Sequence, residues 1–92
     1  MKGWVKLMDI IFISAKGCLD CKRMKSYLGV ICSAFDNINV IELDSESDDA
    51  IDVAVKNDIE DIPACIIGNN VMFGKNGFSY DQMLQAVKDN YE

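Results

Sequence analysis

The 92-residue chain predicts a single α/β domain of element order β-α-β-α-β-β-α, a four-stranded mixed sheet with helices on both faces. Three observations carry that expectation. A continuous β-branched and aromatic run, Asp9 to Ser14, breaks at Lys16-Gly17 and gives way to a stripe of helical period. Gly68-Asn69-Asn70 separates two short apolar runs, a hairpin signal. Ser79 and Gln82 stand at capping-box spacing before a last amphipathic segment.

The first strand, Asp9 to Ser14, is apolar at successive positions, as in a central strand covered on both faces. From about Leu19 a helix follows, with Met24, Tyr27, Leu28, Ile31, Ala34 and Phe35 at three- and four-residue steps. Gly29 within it costs up to ~1 kcal/mol against Ala, and close packing on the sheet is the expected reason. Asn39 to Leu43 is a second strand, and its helical link to the first predicts parallel pairing with a right-handed crossover. Ser47 caps a second helix, with Asp48 and Asp49 in the first turn, where the dipole favours acids. Ile51, Ala54 and Val55 are its expected inner side. The only proline, Pro63, leads into strand Ala64-Cys65-Ile66-Ile67, and the hairpin returns through Val71-Met72-Phe73 as an antiparallel edge. In the last helix Tyr80, Met83, Leu84, Val87 and Tyr91 face inward, with Phe78 and Met83 placed as a hydrophobic staple. Residues 1–8 form an N-terminal arm, anchored by Trp4, and residues 9–92 the domain.

Charge narrows the function. Fifteen acidic against nine basic residues, a formal charge of −6, disfavour nucleic acid or an anionic membrane as partner. No apolar run has the length of a membrane span, and the first nine residues lack a signal-peptide core, so a cytoplasmic protein is expected. In a reducing compartment four cysteines read as redox or metal chemistry rather than a disulfide framework. Histidine, the commonest metal ligand, is absent from the sequence.

The chemistry centres on Cys18-Leu19-Asp20-Cys21, between the first strand and the first helix. Two intervening residues at a helix start bring both sulfurs within bonding reach. They also aim backbone N–H groups and the positive end of the dipole at the first sulfur. A nucleophilic Cys18 and a resolving Cys21 one turn inside are the expected roles. Lys16, Lys22 and Arg23 are candidates for stabilising the thiolate, and Asp20 opposes them. A four-cysteine zinc site is the rival. Cys32, however, lies eleven residues beyond Cys21, ~16 Å along the helix, too far to share one ion with the pair. Cys32, beside Leu28 and Phe35, and Cys65, in an apolar strand, are expected to pack as small hydrophobes.

The C-x-x-C at a strand-to-helix turn, followed by Ile59-Glu60-Asp61-Ile62-Pro63 before a hairpin, resembles the thioredoxin superfamily, and the likeness spans roughly residues 9 to 91. Lys22 directly after the second cysteine is similar to thioredoxins. The resemblance implies a minimal thioredoxin-like fold and a thiol–disulfide oxidoreductase acting on disulfide-containing protein substrates. It also implies a Cys18–Cys21 redox disulfide with no other bound cofactor. A thioredoxin-reductase-type or glutathione donor would regenerate the dithiol, and a monomer is expected. Carried over by position, Pro63 is a cis-proline facing the Cys18 sulfur, and the Ile62 backbone hydrogen-bonds an extended substrate. Some family features differ: Gly17 replaces a tryptophan, and Phe12 stands where thioredoxins bury an acid. Two alternatives stay open, a glutathione-dependent glutaredoxin and a non-catalytic binding or metal module. Glu60 and Asp61 beside the groove oppose the first.

Overall fold

The computed structural model describes residues 8–74 and 79–91. The expectations at Trp4 and Phe78 lie outside them. The elements are β1 (Met8–Ser14), α1 (Leu19–Ser33), β2 (Ile38–Asp44), α2 (Asp48–Lys56), β3 (Ala64–Ile67), β4 (Asn70–Phe73) and α3 (Tyr80–Asn90). The sheet order is β2-β1-β3-β4. β1 runs parallel to β2, with Phe12 opposite Glu42 and Ser14 opposite Asp44. It runs antiparallel to β3, with Phe12 opposite Cys65 and Ile13 opposite Ala64, and β3 pairs antiparallel with β4.

Alternation along β1 sends Ile10 and Phe12 to one face and Ile13 to the other, all at 2 % exposure or less. The first face is the larger core. There α1 contributes Cys21, Met24, Leu28 and Ile31, and α3 contributes Met83, Ala86 and Val87. Tyr27 and Tyr80 meet edge to face across the two helices, ring centroids 5.7 Å apart. Phe35 and Tyr91 do the same at 4.9 Å. The second face is thinner: Ile13, Ala50 and Ala64, with Leu43, Val53 and Ile59 among the side chains packed around them.

Three packing expectations are corrected. The inner side of α2 is Ala50, at 1 % exposure, whereas Ile51 is 51 % and Val55 72 % exposed. A methyl group at position 50 lets the helix approach Ile13 and Ala64. That contact sets the phase of the helix and turns the two larger side chains to solvent. Gly29 does not pack on the sheet: it is exposed, and a Cβ there would meet nothing within 4 Å. Ala34 is likewise exposed, as the C-cap after α1 has ended at Ser33. The caps fall where the local sequence placed them: Ser47 accepts from the Ala50 N–H at 3.2 Å and Ser79 from the Gln82 N–H at 3.3 Å.

Candidate active site

The site is built at the end of the sheet where β1 stops. After Ser14 the chain turns through Ala15, Lys16 and Gly17 and enters α1. Gly17 has φ +74°, the left-handed region that disfavours a side chain, and a Cβ there would meet nothing within 4 Å. The turn's backbone, not a lack of room, calls for glycine at that position.

Cys18 is the N-cap of α1, with extended backbone at φ −88°, ψ 109°. Its Sγ accepts a hydrogen bond from the Cys21 N–H at 3.1 Å, and its carbonyl accepts from the Lys22 N–H at 3.2 Å. A sulfur thus fills the place a serine or aspartate oxygen usually takes, and one otherwise orphaned N–H of the first turn, that of Cys21, donates to it. Cys18 and Cys21 are joined as a disulfide, their Cα atoms 5.2 Å apart. The two sulfurs differ in surroundings. Cys18 is half-buried at the helix tip; Cys21 is 3 % exposed and part of the larger core. Leu19, between them, projects at 79 % exposure.

The charged residues are distributed unevenly. Lys16 and Lys22 are exposed and line, with Cys21, a cavity of about 590 Å³ that also takes in Ser14, Lys25 and Glu42. Arg23 is not free to serve a thiolate, because its guanidinium is paired with Asp20 one turn back. Lys25 pairs with Glu42 at 2.9 Å, and the Ser14 hydroxyl donates to the same carboxylate at 2.9 Å. These two bonds, that of Lys25 first, hold the Glu42 carboxyl below the usual carboxylate range. Glu42 and Asp44, which also lines the cavity, are not among the site residues expected from the sequence. They reach the site only through the register that sets them beside Phe12 and Ser14, a pairing some thirty residues apart in the chain. Lys25 had a local signal, one turn beyond Lys22 on the same helix.

Pro63 is buried and Ile62 half-buried. Extending the β1–β3 register one step beyond Ile13–Ala64 sets Pro63 opposite Ser14, at the same end of the sheet as the disulfide. The Ile62–Pro63 peptide bond is cis. The Ile62 N–H is occupied, donating to the Asp61 carboxylate at 2.9 Å.

Neither remaining cysteine joins the site. Cys65 is fully buried at the centre of β3, its thiol pushed up to about 12 by burial, with the nearby Cys32 adding to the effect. Cys32 is half-buried against the same core, and burial raises its thiol as well.

A disulfide-capable C-x-x-C pair at the tip of a helix, on a mixed four-stranded sheet with helices on both faces, defines the thioredoxin fold class. No family profile matches the chain. Thioredoxin from Gallus gallus is 31 % identical over 92 residues, covering 100 % of this chain and 80 % of its own. A thioredoxin-like protein from Clostridium perfringens superposes with a TM-score of 0.73 at 19 % identity, over 95 % of this chain and 73 % of that one. Oxidized mitochondrial thioredoxin 3 from Saccharomyces cerevisiae does so at 0.68 and 20 %, over 89 % and 77 %. The chain belongs to the thioredoxin family. It is a thioredoxin-like redox protein whose C-x-x-C pair is Cys18–Cys21. Among the described residues no helix is long and apolar enough to cross a membrane.

Proposed function

We propose that the protein is a dithiol–disulfide oxidoreductase acting on protein disulfides, with Cys18 as nucleophile and Cys21 as resolving thiol. The observation that carries this reading is the asymmetry of the pair: an accessible N-cap sulfur that accepts a backbone N–H, beside a sulfur enclosed in the core. In the reduced protein the N–H donor and the helix dipole favour the Cys18 thiolate.

That thiolate attacks one sulfur of the substrate disulfide. The substrate S–S bond breaks, a mixed disulfide forms, and the departing sulfur takes a proton from solvent. Cys21 then loses its proton and attacks the Cys18 sulfur. The bond to substrate breaks, the second substrate sulfur leaves as a thiol, and Cys18–Cys21 is oxidised. Two electrons pass to the substrate, and an external donor returns them. Lys16 and Lys22, on the cavity that Cys21 borders, favour the anionic intermediates. The Ile62 carbonyl and Pro63 face an extended substrate segment beside the pair. The reaction suits a reducing compartment such as the cytoplasm, where closely spaced cysteines serve exchange rather than structure.

The test is trapping. Cys21→Ser should attack a protein disulfide and stall as a stable mixed disulfide, whereas Cys18→Ser should trap little. Equal trapping by both variants would overturn the assigned roles. Coupling the wild-type protein to NADPH through thioredoxin reductase, and separately to glutathione and its reductase, identifies the donor by which system turns over.

A further inference from the structure

A second cavity, about 620 Å³, opens on the other face of the sheet between α2 and the segment leading to Pro63. Its apolar wall holds Ile51, Val55, Ile59 and Ile62, and two of these are more exposed than side chains of their kind usually are: Ile51 at 51 % and Val55 at 72 %. Asp58, Glu60 and Asp61 also line it, and among the described residues none that lines it is basic. The one lysine of α2, Lys56, is already paired with Asp52 at 3.2 Å. Ile13 and Ile62 bring the cavity to the end of β1 and to Pro63, so a segment lying in it continues toward the redox pair.

We propose that this groove docks an apolar, positively charged segment flanking the disulfide of a protein substrate. The inference rests on the exchange reaction proposed above and names the substrate class of that site. Charge complementarity selects the occupant. Three carboxylates around an apolar wall attract Lys and Arg and penalise Asp and Glu, while apolar neighbours in the substrate cover Ile51 and Val55. A second copy of this chain is a poor occupant, since it would bring the same acidic rim against its twin.

The experiment uses two peptide disulfides of equal length and apolar content, one flanked by Lys and one by Glu. The protein should reduce the cationic peptide ~10-fold faster at low salt, and the gap should narrow at 0.5 M salt. Glu60→Lys should bring the ratio of the two rates toward one. Asp89→Lys, an equal change of net charge in the last turn of α3, should leave the ratio largely in place. Equal rates for the two peptides, or a ratio that Glu60→Lys and Asp89→Lys alter alike, would overturn docking in the groove. So would a concentration-dependent dimer that Val55→Ser disperses, because a second copy would then hold the surface. Binding of redox-inert analogues, serine for cysteine, to the oxidised protein separates the two readings. Preferential binding of the cationic analogue without reduction of either peptide would sink the exchange reaction and leave the docking surface standing. Equal binding would sink the surface alone.

Discussion

Cys21 and Cys65 belong to one core cluster, yet only the first is bonded to another cysteine, and the two sulfurs differ in their surroundings. Cys65 is enclosed in β3 beside Phe12, so its thiolate is disfavoured and its folded-state value rises to about 12, above the ordinary 9.0. A raised value means the folded chain keeps a proton that the unfolded chain gives up. The associated stability is complete below pH 9 and is lost as pH climbs toward 12. Unfolding of the reduced protein in urea should therefore show a fall of up to ~1.4 kcal/mol per pH unit in that window from this group. Lysines and tyrosines titrate in the same range, so the readout is the difference from Cys65→Ala. That variant should start ~1 kcal/mol less stable at pH 7 and lose less on going to pH 10. Parallel pH profiles for the two proteins would contradict the burial argument. Alkylation at pH 8 should likewise leave Cys65 unlabelled in the folded protein.

At the scale of elements, local signals were legible and long-range ones were not. Ser47 and Ser79 announced their helices because a cap is a contact between residues three apart. Ser47→Ala should accordingly cost ~1 kcal/mol, read as a lower urea midpoint with unchanged slope. The phase of α2 could not be read in the same way. Ranking by hydrophobicity put Ile51 and Val55 inside, whereas the close approach of the helix to Ile13 and Ala64 selected the small Ala50. Gly29 illustrates the converse. Its presence in a helix suggested a packing demand, but open space surrounds its missing side chain. Gly29→Ala should stabilise the protein by up to ~1 kcal/mol, since it removes backbone freedom from the unfolded chain and adds no clash. A loss of stability would show that α1 approaches something at that position.

The whole molecule is lopsided about its sheet, and the lopsidedness organises the site. α1 and α3 close the larger core over Ile10, Phe12, Cys65 and Ile67, whereas on the other face α2 sets Ala50 over Ile13 and Ala64, with only partly buried side chains around them. The pairing of β1 with β2 and the β3–β4 hairpin followed from connection lengths and turn residues in the sequence. The two cavities beside the redox end did not, because each is walled by segments distant in the chain: Lys25 with Glu42 in one, Val55 with Ile62 in the other. Burial of unequal depth implies unequal resistance to opening. Native-state hydrogen exchange should rank the central strands β1 and β3 and the buried turns of α1 as slowest, opening only with global unfolding. The amides of α2 should exchange sooner through a smaller opening, because few buried apolar groups hold that helix down. Such an opening would carry Ile51 and Val55 away from Ile62 and dismantle the second groove while the Cys18–Cys21 helix stayed folded. A bound cationic segment should slow exchange in α2 and leave α1 nearly unchanged, by the ordinary linkage between binding and local stability. Uniform protection across all three helices would instead make the domain a single cooperative unit, and the groove would then be as rigid as the core beneath it.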